Sequence, residues 1–177
     1  TKCGHKETAT IAKLKPTITV NVKTLPMKVG QTSTAVKVSG LAKGDYVKSW
    51  KSSNTAIVKA DSKGKLTAQK KTGTATITIT LASKKTATVK VNVQKGTVRT
   101  TSVSVMPKSF TLQKGKSKKL TWVIYPLTSQ EKVTFTTSNK KVATVSSTGN
   151  VTAKGKGTAK ITVKSGSKKA VVTVTVK

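Results

Sequence analysis

The sequence predicts an all-β protein made of two tandem sandwiches, and three observations carry that expectation. First, a block repeats: Trp50 to Ile79 recurs as Phe135 to Val163, with Asn54 matching Asn139 and Gly64 matching Gly149 at one offset of 85 residues. Past a one-residue deletion in a Lys-rich loop, Gly73 matches Gly157 and Ile77 matches Ile161. A period this long exceeds a solenoid unit and suits a tandem of small whole domains. Second, apolar residues alternate with Thr or Lys in many short runs separated by Gly, Pro, Asn and Asp, the pattern of half-buried strands joined by turns. Third, no segment carries an apolar stripe at helical spacing, while Thr and Val dominate, as a pleated surface favours.

The elements follow in order. Residues 1–15 are polar without clear period and read as a tail or the end of a preceding segment. Alternation starts at Thr17, with Ile18, Val20 and Val22 on one face. Leu25-Pro26 and Val29-Gly30 are expected to break the strand, because Pro26 lacks a ladder donor and Gly30 permits a turn. A second short strand is expected over Ala35 to Val38, a loop over Leu41 to Asp45, and a third strand over Val47 to Ser52 carrying Trp50. Ala56 to Ala60 and Lys65 to Ala68 flank Asp61-Ser62-Lys63-Gly64, a hairpin signal with Asp61 as turn former. Ala75, Ile77, Ile79 and Leu81 then alternate with threonines, Lys84-Lys85 turns the chain, and Val89, Val91 and Val93 close the first copy. The second copy repeats the order from Val103 and Val105 through Phe110, Leu112, Leu120 to Tyr125, Phe135, the Ser147-Thr148-Gly149 turn and Ile161 to Val172, Val174 and Val176. The expected division is 16–94, a short linker 95–101 with limited hinge freedom, and 102–177. The fold class is two tandem immunoglobulin-like β-sandwich domains without disulfides, since Cys3 is the single cysteine.

These motifs are similar to a known family. An aromatic followed by S-S-N or T-S-N, then V-A-T-V, S-x-G-x-V-T-A and K-G-x-G-T-A-x-I-T-V resembles the bacterial Ig-like domain of group 2. The L-x-K-G opening at Leu112 to Gly115 and its counterpart at Met27 to Gly30 fit as well. The second copy fits better; the first departs at Ile57-Val58-Lys59-Ala60 and in the longer Gln69 to Thr72 loop. The resemblance implies a module of a bacterial surface protein, extracellular at the cell surface or wall, and it implies no catalytic residues. It also leaves room for an accessory module of a wall- or polysaccharide-acting enzyme lying upstream, or a phage virion decoration domain. The start, with Cys3 and His5, is similar to the end of a small metal-binding segment, but two ligands are too few for zinc.

Composition excludes much chemistry. The chain has 177 residues, 35 Lys+Arg against 4 Asp+Glu, and a net charge of +31. The acids, Glu7, Asp45, Asp61 and Glu131, fall in the tail and in expected loops, so neither a carboxylate pair nor a Ser-His-acid triad is in view. No enzyme activity, cofactor or metal is expected. Calcium would need several carboxylates. Lys154-Gly155-Lys156-Gly157 and Lys71-Thr72-Gly73 lack phosphate-loop spacing and a following helix, so they read as turns. A Lys–Asn cross-link at Asn92 has no acid partner and no counterpart in the second copy. No apolar run is long enough to span a membrane.

The lysines are the informative group. Lys84-Lys85 recurs as Lys168-Lys169, and Lys70-Lys71 recurs near Lys154 and Lys156. Exposed lysines protect strand edges, and this set also forms a candidate polyanion surface. Nucleic acid is disfavoured as partner: Arg99 is the only arginine, and aromatics, which serve as stacking platforms, are 3% of the chain. Lysine, a compact point charge, suits anionic cell-wall polymers or glycans; a host or bacterial surface protein is the other partner class. Trp50 and Phe135 occupy matching positions and are expected in the core. Trp122 and Tyr125 are the candidate glycan-stacking pair; Leu120, Trp122 and Ile124 share one face, Val123 and Tyr125 the other, and the pattern leaves open which is buried. The functional expectation is a non-catalytic rigid spacer that adheres through charge.

Overall fold

The computed structural model describes residues 17–177, so Cys3, His5 and Glu7 lie outside the described residues. It is all strand and turn, with no helix among those residues. The first copy contains β1 (Thr19–Val20), β2 (Thr24–Lys28), β3 (Thr32–Ser33), β4 (Val38–Ser39), β5 (Val47–Ser52), β6 (Val58–Ala60), β7 (Leu66–Ala68), β8 (Gly73–Leu81) and β9 (Thr86–Gln94). The second contains β10 (Ser102–Met106), β11 (Ser109–Leu112), β12 (Ser117–Lys119), β13 (Thr121–Tyr125), β14 (Val133–Thr137), β15 (Ala143–Val145), β16 (Asn150–Ala153), β17 (Gly157–Ser165) and β18 (Lys168–Val176).

The two copies share one topology. Sheet β2-β9-β8-β5 corresponds to β11-β18-β17-β14, sheet β3-β7-β6 to β12-β16-β15, and the short ribbon β1-β4 to β10-β13. In each, one opening strand pairs parallel with the last strand and all other ladders are antiparallel. No ladder joins one copy to the other among the described residues. The period-2 alternation fills the space between the sheets. Ile77, Ile79, Val89 and Val91 face Val58 and Leu66 in the first copy; Ile161, Val163, Val172 and Val174 face Leu120, Ala143 and Val151 in the second. The threonines between them point outward.

Two expectations along the first copy are corrected. Pro26 does not end a strand; it lies inside β2, opposite Asn92. Lys23 accepts from Lys90 N–H and Val29 donates to Gln94 C=O, so the odd-numbered residues carry the ladder. The donor that Pro26 lacks would face away from β9, on the open side of an edge strand, where proline is tolerated. The expected strand Ala35 to Val38 is split, and only Val38 belongs to a ladder. Asn21 is the cause: its side-chain amide donates to Ala35 C=O (2.8 Å) and accepts from Lys37 N–H (2.7 Å), occupying groups that a strand partner would use.

The repeated asparagine is a turn device. Asn54 Oδ1 accepts from Ala56 N–H while its carbonyl accepts from Ile57 and Val58, so the strand begins at Val58 rather than Ala56. Asn139 does the same for Lys141, Val142 and Ala143. Asp61 forms the following turn by accepting from Lys63 and Lys65 N–H, both at 2.9 Å. Ser146 takes that place in the second copy, accepting from Thr148 and Asn150.

The stretch 95–101 is more than a tether. Val98 and Thr100 are buried. Val98 accepts from Gln130 N–H, and Thr100 N–H donates to Glu131 Oε2 at 2.7 Å. The Thr100 hydroxyl bonds those of Ser129 and Ser165, at 2.8 and 2.7 Å. Direct contacts complete the joint: Gln31 Nε2 donates to Thr128 C=O (2.8 Å), and the Thr128 hydroxyl donates to Pro26 C=O. Gln31 is itself oriented by Lys28 N–H, which donates to its Oε1 at 2.9 Å.

Candidate functional site

All eight loop lysines singled out from the sequence are exposed, but they do not form one patch. Lys70 and Lys71 precede β8, and Lys84 and Lys85 follow it. Lys154 and Lys156 precede β17, and Lys168 and Lys169 open β18. β8 and β17 are each nine residues long. At the rise of an extended strand, the two ends of each are about 27 Å apart. The joint redistributes these charges. Lys70 and Lys71 follow β7, whose last residue Ala68 hydrogen bonds Gly30 and Gln31 at the end of the first copy that meets the second. The β17–β18 hairpin, which leads into Lys168 and Lys169, lies at the end of the second copy that meets the first: Ser165 Oγ donates to Glu131 C=O. Lys70, Lys71, Lys168 and Lys169 therefore border the waist between copies, and Lys84, Lys85, Lys154 and Lys156 lie at the far ends.

A second basic group lies on a sheet face that the loop-based reading passed over. The outward positions of β17 are Thr158, Lys160, Thr162 and Lys164; those of β18 are Lys169, Val171, Thr173 and Thr175. Register places Lys164 directly opposite Lys169 and Lys160 opposite Thr173, with Thr134 of β14 beside Lys164. The sequence signal was present, since Lys160 and Lys164 share a parity within one strand.

The candidate stacking pair is separated. Leu120 is buried and Trp122 packs inward at the margin of the second core, whereas Tyr125 is 43% exposed on the opposite face of β13. Trp122 meets Phe135 edge to face, ring centroids 4.9 Å apart at 75°. Both aromatics cover Gly149, where an added Cβ would fall 2.7 Å from Trp122 Cζ3 and 3.2 Å from Phe135 Cε1. In the first copy Trp50 covers Gly64. Phe110 is partly buried against the second core beneath the Lys118 ammonium, 5.3 Å from the ring centroid. Tyr46 is an exposed loop residue.

The carboxylates serve the backbone. Asp45 accepts from Ser83 Oγ (2.6 Å), Ser83 N–H (3.2 Å) and Tyr46 N–H (3.0 Å). The Ser83 hydroxyl is the main cause holding its carboxyl below the ordinary aspartate range, with the two backbone donors adding to it. Glu131 packs against Gly166, leaving no room there for a Cβ. No group of three His, Cys, Asp or Glu side chains is placed to hold a metal among the described residues. Asn92 is exposed on the outer face, accepting from the Thr74 hydroxyl.

The family model of the bacterial Ig-like domain (group 2) matches residues 99–176. Those residues are a bacterial Ig-like domain of group 2. The match begins at Arg99, within the stretch that the hydrogen bonds of Val98 and Thr100 attach to this Ig-like domain. The other Ig-like domain of the chain has the same strand order. The chain is also 46% identical over 72 residues to a kappa-carrageenase of Pseudoalteromonas carrageenovora, a stretch that is 40% of this chain and 18% of that protein. Among solved structures, domains 4 and 5 of the S-layer protein SbsC superpose at a TM-score of 0.44 with 18% identity, covering 90% of this chain and 96% of that one. Domains 1–6 of the surface layer protein SbsC give 0.42 and 24%, covering 72% and 19%. Drosophila N-cadherin EC1-4 gives 0.39 and 12%, covering 92% and 49%. No helix among the described residues of these Ig-like domains is long and apolar enough to cross a membrane.

Proposed function

We propose that the chain is a non-catalytic, extracellular part of a bacterial surface protein that acts as a spacer and associates with anionic wall polymers or glycans through its lysines. The observation that carries this reading is the uncompensated charge. With 35 Lys+Arg against 4 Asp+Glu, and with Asp45, Asp61 and Glu131 each accepting hydrogen bonds within loops, the lysines are left to face solvent. Such a surface attracts polyanions over a range set by salt, about 8 Å at physiological ionic strength. The Gln31–Thr128 joint and the burial of Val98 support the spacer role by limiting the hinge.

The carrageenase likeness favours a second reading, an accessory module beside a polysaccharide-acting catalytic domain elsewhere in the parent protein. Both readings put the chain outside the cell. Sedimentation with purified Gram-positive walls, with and without their teichoic acids, over a salt series tests the wall association. Binding that falls steeply with salt and is lost without teichoic acids supports it. Binding indifferent to salt points to a specific site instead, and no binding at low salt removes it.

A further inference from the structure

We propose that the outer face of the β17–β18 ribbon in the second copy is a binding surface for a linear anionic polysaccharide, with Lys160, Lys164 and Lys169 as its charge contacts. This inference rests on the polyanion reading above and narrows it from loops to one sheet face. Three observations lead to it.

The first is the register. Lys164 and Lys169 stand directly opposite on neighbouring strands, and like charges in that position destabilise a sheet. Glu131, the one acid of this copy, does not lie on that face; its Oε2 accepts from Thr100 N–H, against the β17–β18 turn. An external anion between the two ammonium groups would relieve the repulsion.

The second is the internal comparison. In the first copy the equivalent cross-strand pair is Thr80 opposite Thr86, and Thr76 stands where the second copy has Lys160. The same ribbon therefore forms with threonines in all three places. Folding does not demand lysine in those three places; the first copy's outward lysines on this face stand elsewhere, Lys90 opposite Thr76 and Lys51 opposite Thr78, so the Lys160, Lys164 and Lys169 arrangement is a feature of the second copy's surface.

The third is the shape and chemistry of the face. It is an extended ribbon on which Lys160 and Lys164, four residues apart in β17, are separated by about 13 Å. Thr162 places a hydroxyl between Lys160 and Lys164, Thr134 and Thr173 flank them on the neighbouring strands, and Val171, 43% exposed, gives an apolar contact for a sugar ring. Val171 also borders a 400 Å³ cleft shared with Val103 and Lys108. A chain polymer with regularly spaced charged groups and hydroxyls matches this strip. A lysine ammonium accepts sulfate, phosphate or carboxylate alike, so the ligand class is set by charge and linearity.

The test uses the whole chain and three soluble probes: dextran sulfate, polygalacturonate and neutral dextran. Lys160→Thr/Lys164→Thr/Lys169→Thr installs the first copy's residues, and Lys140→Thr/Lys141→Thr/Lys154→Thr removes the same charge from loops. The reverse variant, Thr76→Lys/Thr80→Lys/Thr86→Lys, builds the strip on the first copy. The ribbon triple is expected to weaken binding of both anionic probes about tenfold, three modest charge contacts acting together. The loop triple should change it by less than about threefold, and the reverse variant should strengthen it. Equal losses from ribbon and loop triples, with no gain in the reverse variant, overturn the assignment of the face while leaving diffuse polyanion attraction standing. If the unaltered chain binds neither anionic probe at low salt, the polyanion reading itself falls. If neutral dextran binds as well as dextran sulfate, charge is not the contact and the proposal is refuted.

Discussion

Replacing Gly64 by alanine separates two costs that most turn glycines combine. Gly64 and Gly30 are both in the left-handed region, at φ +80° and +78°. A Cβ at Gly30 would meet nothing within 4 Å, whereas at Gly64 it would fall 2.5 Å from Trp50 Cζ2 and 2.7 Å from Cε2. Gly30→Ala should therefore cost only the backbone term, about 1–2 kcal/mol. Gly64→Ala adds displacement of a rigid indole lying over the core, an overpacking term of about 1–3 kcal/mol. The total of about 2–5 kcal/mol corresponds to a fall in melting temperature of at least about 8 °C for a domain this small. Urea unfolding followed by Trp50 fluorescence, in a Trp122→Phe background so that one indole reports on the first copy, measures both variants. If Gly64→Ala and Gly30→Ala are equally destabilised, Trp50 does not lie over the turn, and the reading of Gly64 and Gly149 as aromatic seats is wrong.

Other predictions concern the second copy, the loops and the joint. Trp122→Ala should destabilise the second copy by about 2–4 kcal/mol, somewhat less than a fully buried aromatic, and Tyr125→Ala should leave its denaturant midpoint nearly unchanged; comparable losses would place Tyr125 in the core. Asp45→Asn should lower the stability of the first copy at neutral pH. Because the folded carboxyl is held below its ordinary value, its contribution is present above about pH 4 and fades as pH falls through the folded value. The gap between parent and variant in denaturant unfolding should therefore close in acid, and a gap that persists at the lowest pH would refute this account. Gln31→Ala removes the side chain linking Lys28 to Thr128 and should broaden the interdomain distance distribution seen by small-angle scattering, with each copy's melting unchanged; an unaltered distribution would mean that the Thr128 hydroxyl on Pro26 C=O and the buried Val98 and Thr100 hold the joint without it.

Much of this protein could be read from residue order, because the signals are local. Side-chain direction in a strand alternates with period 2, so Ala75, Ile77, Ile79 and Leu81 declared their buried face without a partner being known. Turn chemistry is also local: Asp61 and Gly64 carry their own hydrogen bonds and backbone preference, and the 85-residue repeat supplied the second copy from the first. Tertiary structure decided whatever depends on the neighbouring strand. Whether Pro26 breaks a ladder depends on which side of β2 is paired, and that side became known only with β9 in place. Trp122 and Tyr125 alternate on either register, and only the sheet opposite β13 selects the face that turns inward. The loop lysines looked like one group in sequence, yet each copy holds them at opposite ends of a nine-residue strand, while folding set Lys164 against Lys169 across a hairpin. Period and turn preference are properties of a few consecutive residues; pairing, facing and distance belong to residues that only the fold makes neighbours.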